Sequence, residues 1–113
     1  MVTEEEMAAW ALEYPEVSQS PHFEKTSFRV KKKIFATLDI QRRRATLKLT
    51  EIDQSVFSDY DRTTVYPVPG TWGKQGWTCF ELKKVRKSLF RDALKTAYTT
   101  VAPKSLIEQL KQG

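Results

Sequence analysis

The sequence predicts an α+β domain of two layers, an antiparallel sheet with helices packed on it. Three observations carry this reading. Residues 27–49 hold three short runs with apolar residues at alternate positions, the period of a half-buried strand. Residues 3–14 and 88–101 instead repeat at helical spacing. Turn residues, lysines and arginines separate the strand runs at hairpin distances. The predicted order is α-β-β-β-α-β-β-α-α.

Each element has a local cause. Thr3-Glu4-Glu5-Glu6 fits a capping box, with the Thr hydroxyl and Glu6 satisfying each other's backbone amides. Met7, Trp10, Ala11 and Tyr14 then line one face of a first helix, which Pro15 stops. Residues 16–26 read as a turn plus a short edge strand. Ser27–Val30, Ile34–Ile40 and Ala45–Leu49 read as three strands, with Ile34, Ala36, Leu38 and Ile40 on one face of the second. Their loops are Lys31-Lys32-Lys33 and Gln41-Arg42-Arg43-Arg44.

Thr50 starts a second helix with acids in its first turn, and Ile52, Val56, Phe57 and Tyr60 are expected to form its buried stripe. Thr64–Val68 is a strand that Pro67 restricts to an edge or an end. Residues 69–76 are a loop, and Trp77–Leu82 returns as a strand. Ser88 is the expected N-cap of a long helix buried through Phe90, Ala93, Leu94, Ala97, Tyr98 and Val101. Ala102-Pro103 breaks it, and Ser105–Lys111 forms a last short helix.

The 113 residues suffice for one domain, spanning 1–113. A 12% aromatic share is too rich for a disordered chain. No apolar run approaches the ~20 residues of a membrane span, and the acidic start is unlike a basic signal or transit peptide. A soluble, cytoplasmic protein without a membrane partner is expected. The single cysteine, Cys79, excludes an internal disulfide or a multi-cysteine zinc site.

Catalytic patterns are weak. His22 is the lone histidine and has no predictable partner to orient it, and Cys79 in a strand reads as a small hydrophobe. Gly70, Gly73 and Gly76 lie between two strands, whereas a dinucleotide fingerprint opens a helix. The expectation is a non-enzymatic protein with no catalytic residues, cofactor or metal.

Charge is the strongest positive signal. The net charge is +5, but residues 1–24 hold six acids and no base, and residues 25–48 hold nine bases and one acid. Residues 83–113 hold eight bases and two acids. Basic clusters at Lys31, Lys32 and Lys33, at Arg42, Arg43 and Arg44, and at Lys83, Lys84, Arg86 and Lys87, with Arg29 nearby in sequence, are candidate phosphate contacts. The expected partner is DNA or another polyanion, held weakly and without sequence preference. The clusters join into one surface only if the third lies beside one of the others. The bland alternative is charge that serves solubility and blocks edge pairing.

A second candidate is the sheet face turned from the core. Alternation places Phe35, Thr37, Asp39, Thr46, Lys48, Trp77, Cys79 and Glu81 there, opposite Ile34, Leu38, Leu47, Leu49, Phe80 and Leu82. A helix of the same chain is the expected cover. Left open, this face would suit an adaptor that binds a protein or small ligand, with Phe35, Trp72 and Trp77 as contacts. Trp72 and Trp77 are read as packing residues, since aromatics without a basic groove seldom stack bases. A monomer is favoured.

Pro21–Val30, Lys33–Leu38, Val68–Trp77 and Leu89–Lys104 together resemble the MmcQ/YjbR-like family. The likeness runs from the first helix to Lys104 and is most specific in Gly-Thr-Trp-Gly-Lys-Gln-Gly-Trp, residues 70–77. It implies a compact α/β domain described as CyaY-like, with hairpins likened to a double-wing DNA-binding motif. The family has no established enzymatic activity and no established catalytic residues to carry over. One departure is Lys31-Lys32, where the family commonly has Gly-Gly. If that turn needs positive φ, each lysine costs roughly 1 kcal/mol.

Overall fold

The structure is a computed structural model that describes residues 1–112; the expected domain end at Gly113 lies outside them. Helix α1 (Glu4–Leu12) starts in the expected capping box, with Thr3 N–H donating to Glu6 Oε1 and Glu6 N–H to Thr3 Oγ1. Four strands follow: β1 (Val17–His22), β2 (Lys25–Val30), β3 (Lys33–Asp39) and β4 (Arg44–Lys48). The edge strand expected in residues 16–26 is thus a full six-residue partner of β2, joined to it by Phe23-Glu24. Then come α2 (Glu51–Ser58), β5 (Val65–Pro67), α3 (Thr71–Lys74), β6 (Trp77–Glu81), α4 (Lys87–Val101) and α5 (Lys104–Gln112).

The six strands form one antiparallel sheet in the order β1-β2-β3-β4-β6-β5. Both edge strands carry a proline, Pro21 and Pro67, which removes a donor where pairing would otherwise continue. Phe28, Val30, Ala36, Leu38, Ala45, Leu47 and Phe80 face the core and pack with Met7, Ala11, Phe90, Leu94, Tyr98 and Leu106 from α1, α4 and α5. No helix of the described residues is long and apolar enough to cross a membrane.

Four local expectations need correction. Phe28 pairs with Ala36 but Arg29 pairs with Ile34, so Phe35 is the extra residue of a β-bulge. The bulge resets alternation: Phe35 turns inward and is fully buried, and Ile34 lies on the opposite face, half-buried. Ile40 falls in the turn after β3 and is exposed. On α2 and just past its end, Ile52, Val56 and Tyr60 are 76%, 52% and 70% exposed. The side that packs is Gln54 and Phe57, because Gln54 Nε2 donates to Gly73 O and Trp77 O and Phe57 meets Phe80 edge to face. Finally, α4 begins at Lys87 after Arg86, so Ser88 lies within its first turn.

Candidate functional site

The three basic clusters lie at the ends of the strands. Lys31 and Lys32 form the β2–β3 turn with φ of 50° and 71°, so the turn keeps the conformation that favours glycine. Lys31 Nζ lies 2.7 Å from Glu16 Oε1. Arg42, Arg43 and Arg44 lie at the far end of β3, about 20 Å of strand away. Lys83 comes beside Arg43, as Leu82 N–H donates to Arg43 O at 3.0 Å and Lys83 shares a shallow hollow with Arg43 and Glu4. Lys84 and Arg86 line a different hollow with Asp61 and Asp92. Of the third cluster, Lys83 therefore joins the second, Lys84 and Arg86 turn to another hollow, and Lys31–Lys33 stay apart.

Much of this charge is answered within the molecule. Arg42 pairs with Asp39 at 3.0 Å, Arg44 with Glu81 at 2.8 Å, and Lys87 with Glu6 at 2.8 Å; Arg43 lies 3.9 Å from Glu4. The acidic first segment of the sequence thus folds against the basic ones. Among the described residues, Lys32, Lys33, Lys83, Lys84 and Arg86 form no such pair, nor does Arg29.

The second candidate is open. The core helices all pack on one side of the sheet, and among the described residues no long helix covers the other, contrary to expectation. The pair registers run a polar ladder across this face: Ser20 to Ser27, Ser27 to Thr37, Thr37 to Thr46, Thr46 to Cys79, Cys79 to Tyr66. The Thr37 and Thr46 hydroxyls are hydrogen-bonded to each other, and Ser20 and Ser27 meet at 3.1 Å. Burial pushes the Cys79 thiol above its ordinary pKa, which leaves a poor nucleophile.

Beside this ladder lies a groove of about 390 Å³. Ile34, Thr37 and Thr46 form its floor, His22 and Lys25 one wall, and Val68, Trp72 and Trp77 the other. Two further hollows, about 210 and 540 Å³, continue from Lys25 past Asp39 and Arg42. Of the three proposed sheet-face contacts, Trp72 and Trp77 line the groove and Phe35 does not.

The loop before β6 holds Trp72 in place. It contains a helical turn, α3, rather than the featureless loop expected. A Cβ on Gly73 would stand 2.0 Å from Val68 O, and one on Gly76 1.8 Å from Leu49 O, so both positions demand glycine. With its backbone clamped there, Trp72 is still 62% exposed at the groove wall.

The groove is basic. Lys25 forms no ion pair among the described residues, and Lys48 stands 5.9 Å from the Trp77 ring centroid while donating to Gln75 O. The acids of this face are engaged. Burial acts to raise the Asp39 pKa, but hydrogen bonds from Arg42 N–H and its guanidinium, with the Arg42 and Lys25 charges, hold it below the usual carboxylate range. Glu81 accepts from Arg44 Nε and from the Tyr66 hydroxyl. His22, Lys25, Thr37, Thr46 and Lys48 were not singled out together from sequence, because their convergence needs strand order and curvature. Among the described residues no group of three or more His, Cys, Asp or Glu is placed to hold a metal.

A search of curated proteins finds no match. Among solved structures, the chain is similar to DR2400, a DUF419 protein of Deinococcus radiodurans. The TM-score is 0.81 at 21% identity, over 98% of this chain and 89% of that one, a likeness of fold. The model of the YjbR family matches residues 12–100, which include every strand and the Trp72 loop, and the chain belongs to that family.

Proposed function

We propose that this chain is a non-enzymatic nucleic-acid-binding protein that takes a single strand in the open face of its sheet. The observation behind this is the pairing of Trp72, exposed beside Trp77, with unpaired Lys25 across one groove. Aromatic faces in a basic groove stack bases with little regard to sequence, and the cations follow the backbone. A groove of about 390 Å³ has room for a base and its sugar, not for a duplex about 20 Å across. The turn arginines are less suited to the task, since acids of the same chain already lie within 4 Å of them.

The test is anisotropy of labelled dT12 and a 12-base-pair duplex at 50 and 200 mM salt, with intrinsic tryptophan fluorescence read in parallel. The expected result is tighter binding of dT12, tryptophan quenching and strong loss at the higher salt. Trp72→Ala should weaken binding about 5- to 150-fold, the range for one base–aromatic stack. Lys25→Ala should lower the salt slope by about 0.7. Equal binding of both oligonucleotides, unmoved by Trp72→Ala and lost on replacing Lys83 and Lys84, would move the site to the strand ends. No binding at 50 mM salt would overturn the proposal.

A further inference from the structure

The β1–β2 turn carries two features that the fold does not require. Phe23 has φ of 58°, a backbone region that bulky residues avoid, and its ring is 94% exposed. The turn has only two residues, Phe23 and Glu24, closed by the His22–Lys25 pair. Glycine would meet that geometry without strain, and a polar residue would meet the exposure. Phe23 also stands at the hollow that adjoins the groove. His22 touches its ring edge to face at 4.8 Å, and His22, Phe23, Lys25, Asp39 and Arg42 line the hollow of about 540 Å³ that continues from the tryptophan groove.

We infer that Phe23 is a second base-stacking station, placed on the other side of Lys25 from Trp72. This rests on the single-strand reading above. The occupant is a run of several nucleotides, one base against Trp72 and Trp77 and another against Phe23. The phosphate between them lies on Lys25, which lines both hollows and forms no ion pair among the described residues. Glu24, exposed beside Phe23, and Asp39 put two negative charges on this hollow against Lys25 and Arg42, so its charge is balanced and the Phe23 ring carries the contact there. The strain at Phe23 is then a stability cost kept for binding.

That trade gives a signature that a structural residue would not show. Phe23→Gly should raise the thermal midpoint yet weaken binding of dT8 about 5- to 150-fold, and it should leave dT2 binding nearly unchanged. Phe23→Trp should retain dT8 binding, and its tryptophan quenching on titration should exceed that of the native protein. Weakening by Trp72→Ala at every length, with no effect of Phe23→Gly at any length, would overturn this inference and leave the single-strand reading standing. No effect of either variant would overturn both.

Discussion

Phe35 meets Tyr98 edge to face, with ring centroids 5.6 Å apart and planes at 86°. The contact exists because the bulge turns Phe35 under α4. Tyr98 is fixed in turn by its hydroxyl, which donates to Pro15 O at 2.8 Å, and by stacking on Tyr14 at 4.8 Å. One extra residue in β3 thus ties the segment after α1, α4 and the sheet together. Phe35→Ala should cost about 3–5 kcal/mol, the range for truncating a buried phenylalanine. Urea unfolding checks this. A loss under 1 kcal/mol would mean that Phe35 is not buried and that the β3 alternation runs without a bulge.

The same residue shows where sequence reasoning stopped. Alternation alone assigns Phe35 and Ile34 to the wrong faces, since a bulge leaves no mark in a run of seven strand residues. Elements with purely local causes were legible: the Thr3–Glu6 capping box, the β4 alternation and the α4 stripe. Strand β1 was only half legible, because Val-Ser-Gln-Ser-Pro-His has too few apolar residues to show a period. The α2 stripe was legible as a pattern but misread, since Gln54 and not Ile52 selects the buried side. The charge blocks are plain in the sequence. Their mutual compensation was not visible, as Glu4–Arg43 and Glu6–Lys87 are long-range contacts.

The Lys31-Lys32 turn keeps positive φ at both residues. Replacing Lys32 by Gly should therefore stabilise the protein by roughly 0.5–1 kcal/mol, since the strain relieved exceeds the entropy that glycine adds to the unfolded chain. Lys31→Gly should gain less, because it also removes the pair with Glu16. Thermal melts of both variants check this. A lower midpoint for Lys32→Gly would show that the turn is not left-handed there.

Tyr66 links the open face to alkaline stability. Burial and the hydrogen bond to Glu81 push its phenol up to about 12, from an ordinary value near 10. A group whose folded pKa is raised contributes stability that is whole below the unfolded pKa and is lost as pH rises through the folded one. The stability difference between the native protein and Tyr66→Phe should hold constant below pH 10 and shrink between about pH 10 and 12. Denaturant unfolding at pH 8, 10 and 11.5 measures it. A difference that stays constant to pH 11.5 would mean that Tyr66 keeps no proton-linked bond to Glu81.

The acids of the first segment offer a way to separate the two basic surfaces. Glu4, Glu6 and Glu16 answer Arg43, Lys87 and Lys31 at the strand ends, and none of the three lines the tryptophan groove. Replacing all three by Gln removes three negative charges and takes the net charge from +5 to +8, and Gln at position 6 can still complete the capping box. At 0.15 M salt the Debye length is about 8 Å, so uncovered charge at the strand ends acts mainly there. The triple variant should bind dT12 within about twofold of the native protein and bind duplex DNA more tightly, with a steeper salt dependence. Anisotropy titrations of both oligonucleotides measure the two responses side by side. A rise of tenfold or more for dT12 would show that the single strand runs along Arg43, Lys87 or Lys31 and not through the groove between Lys25 and Trp72.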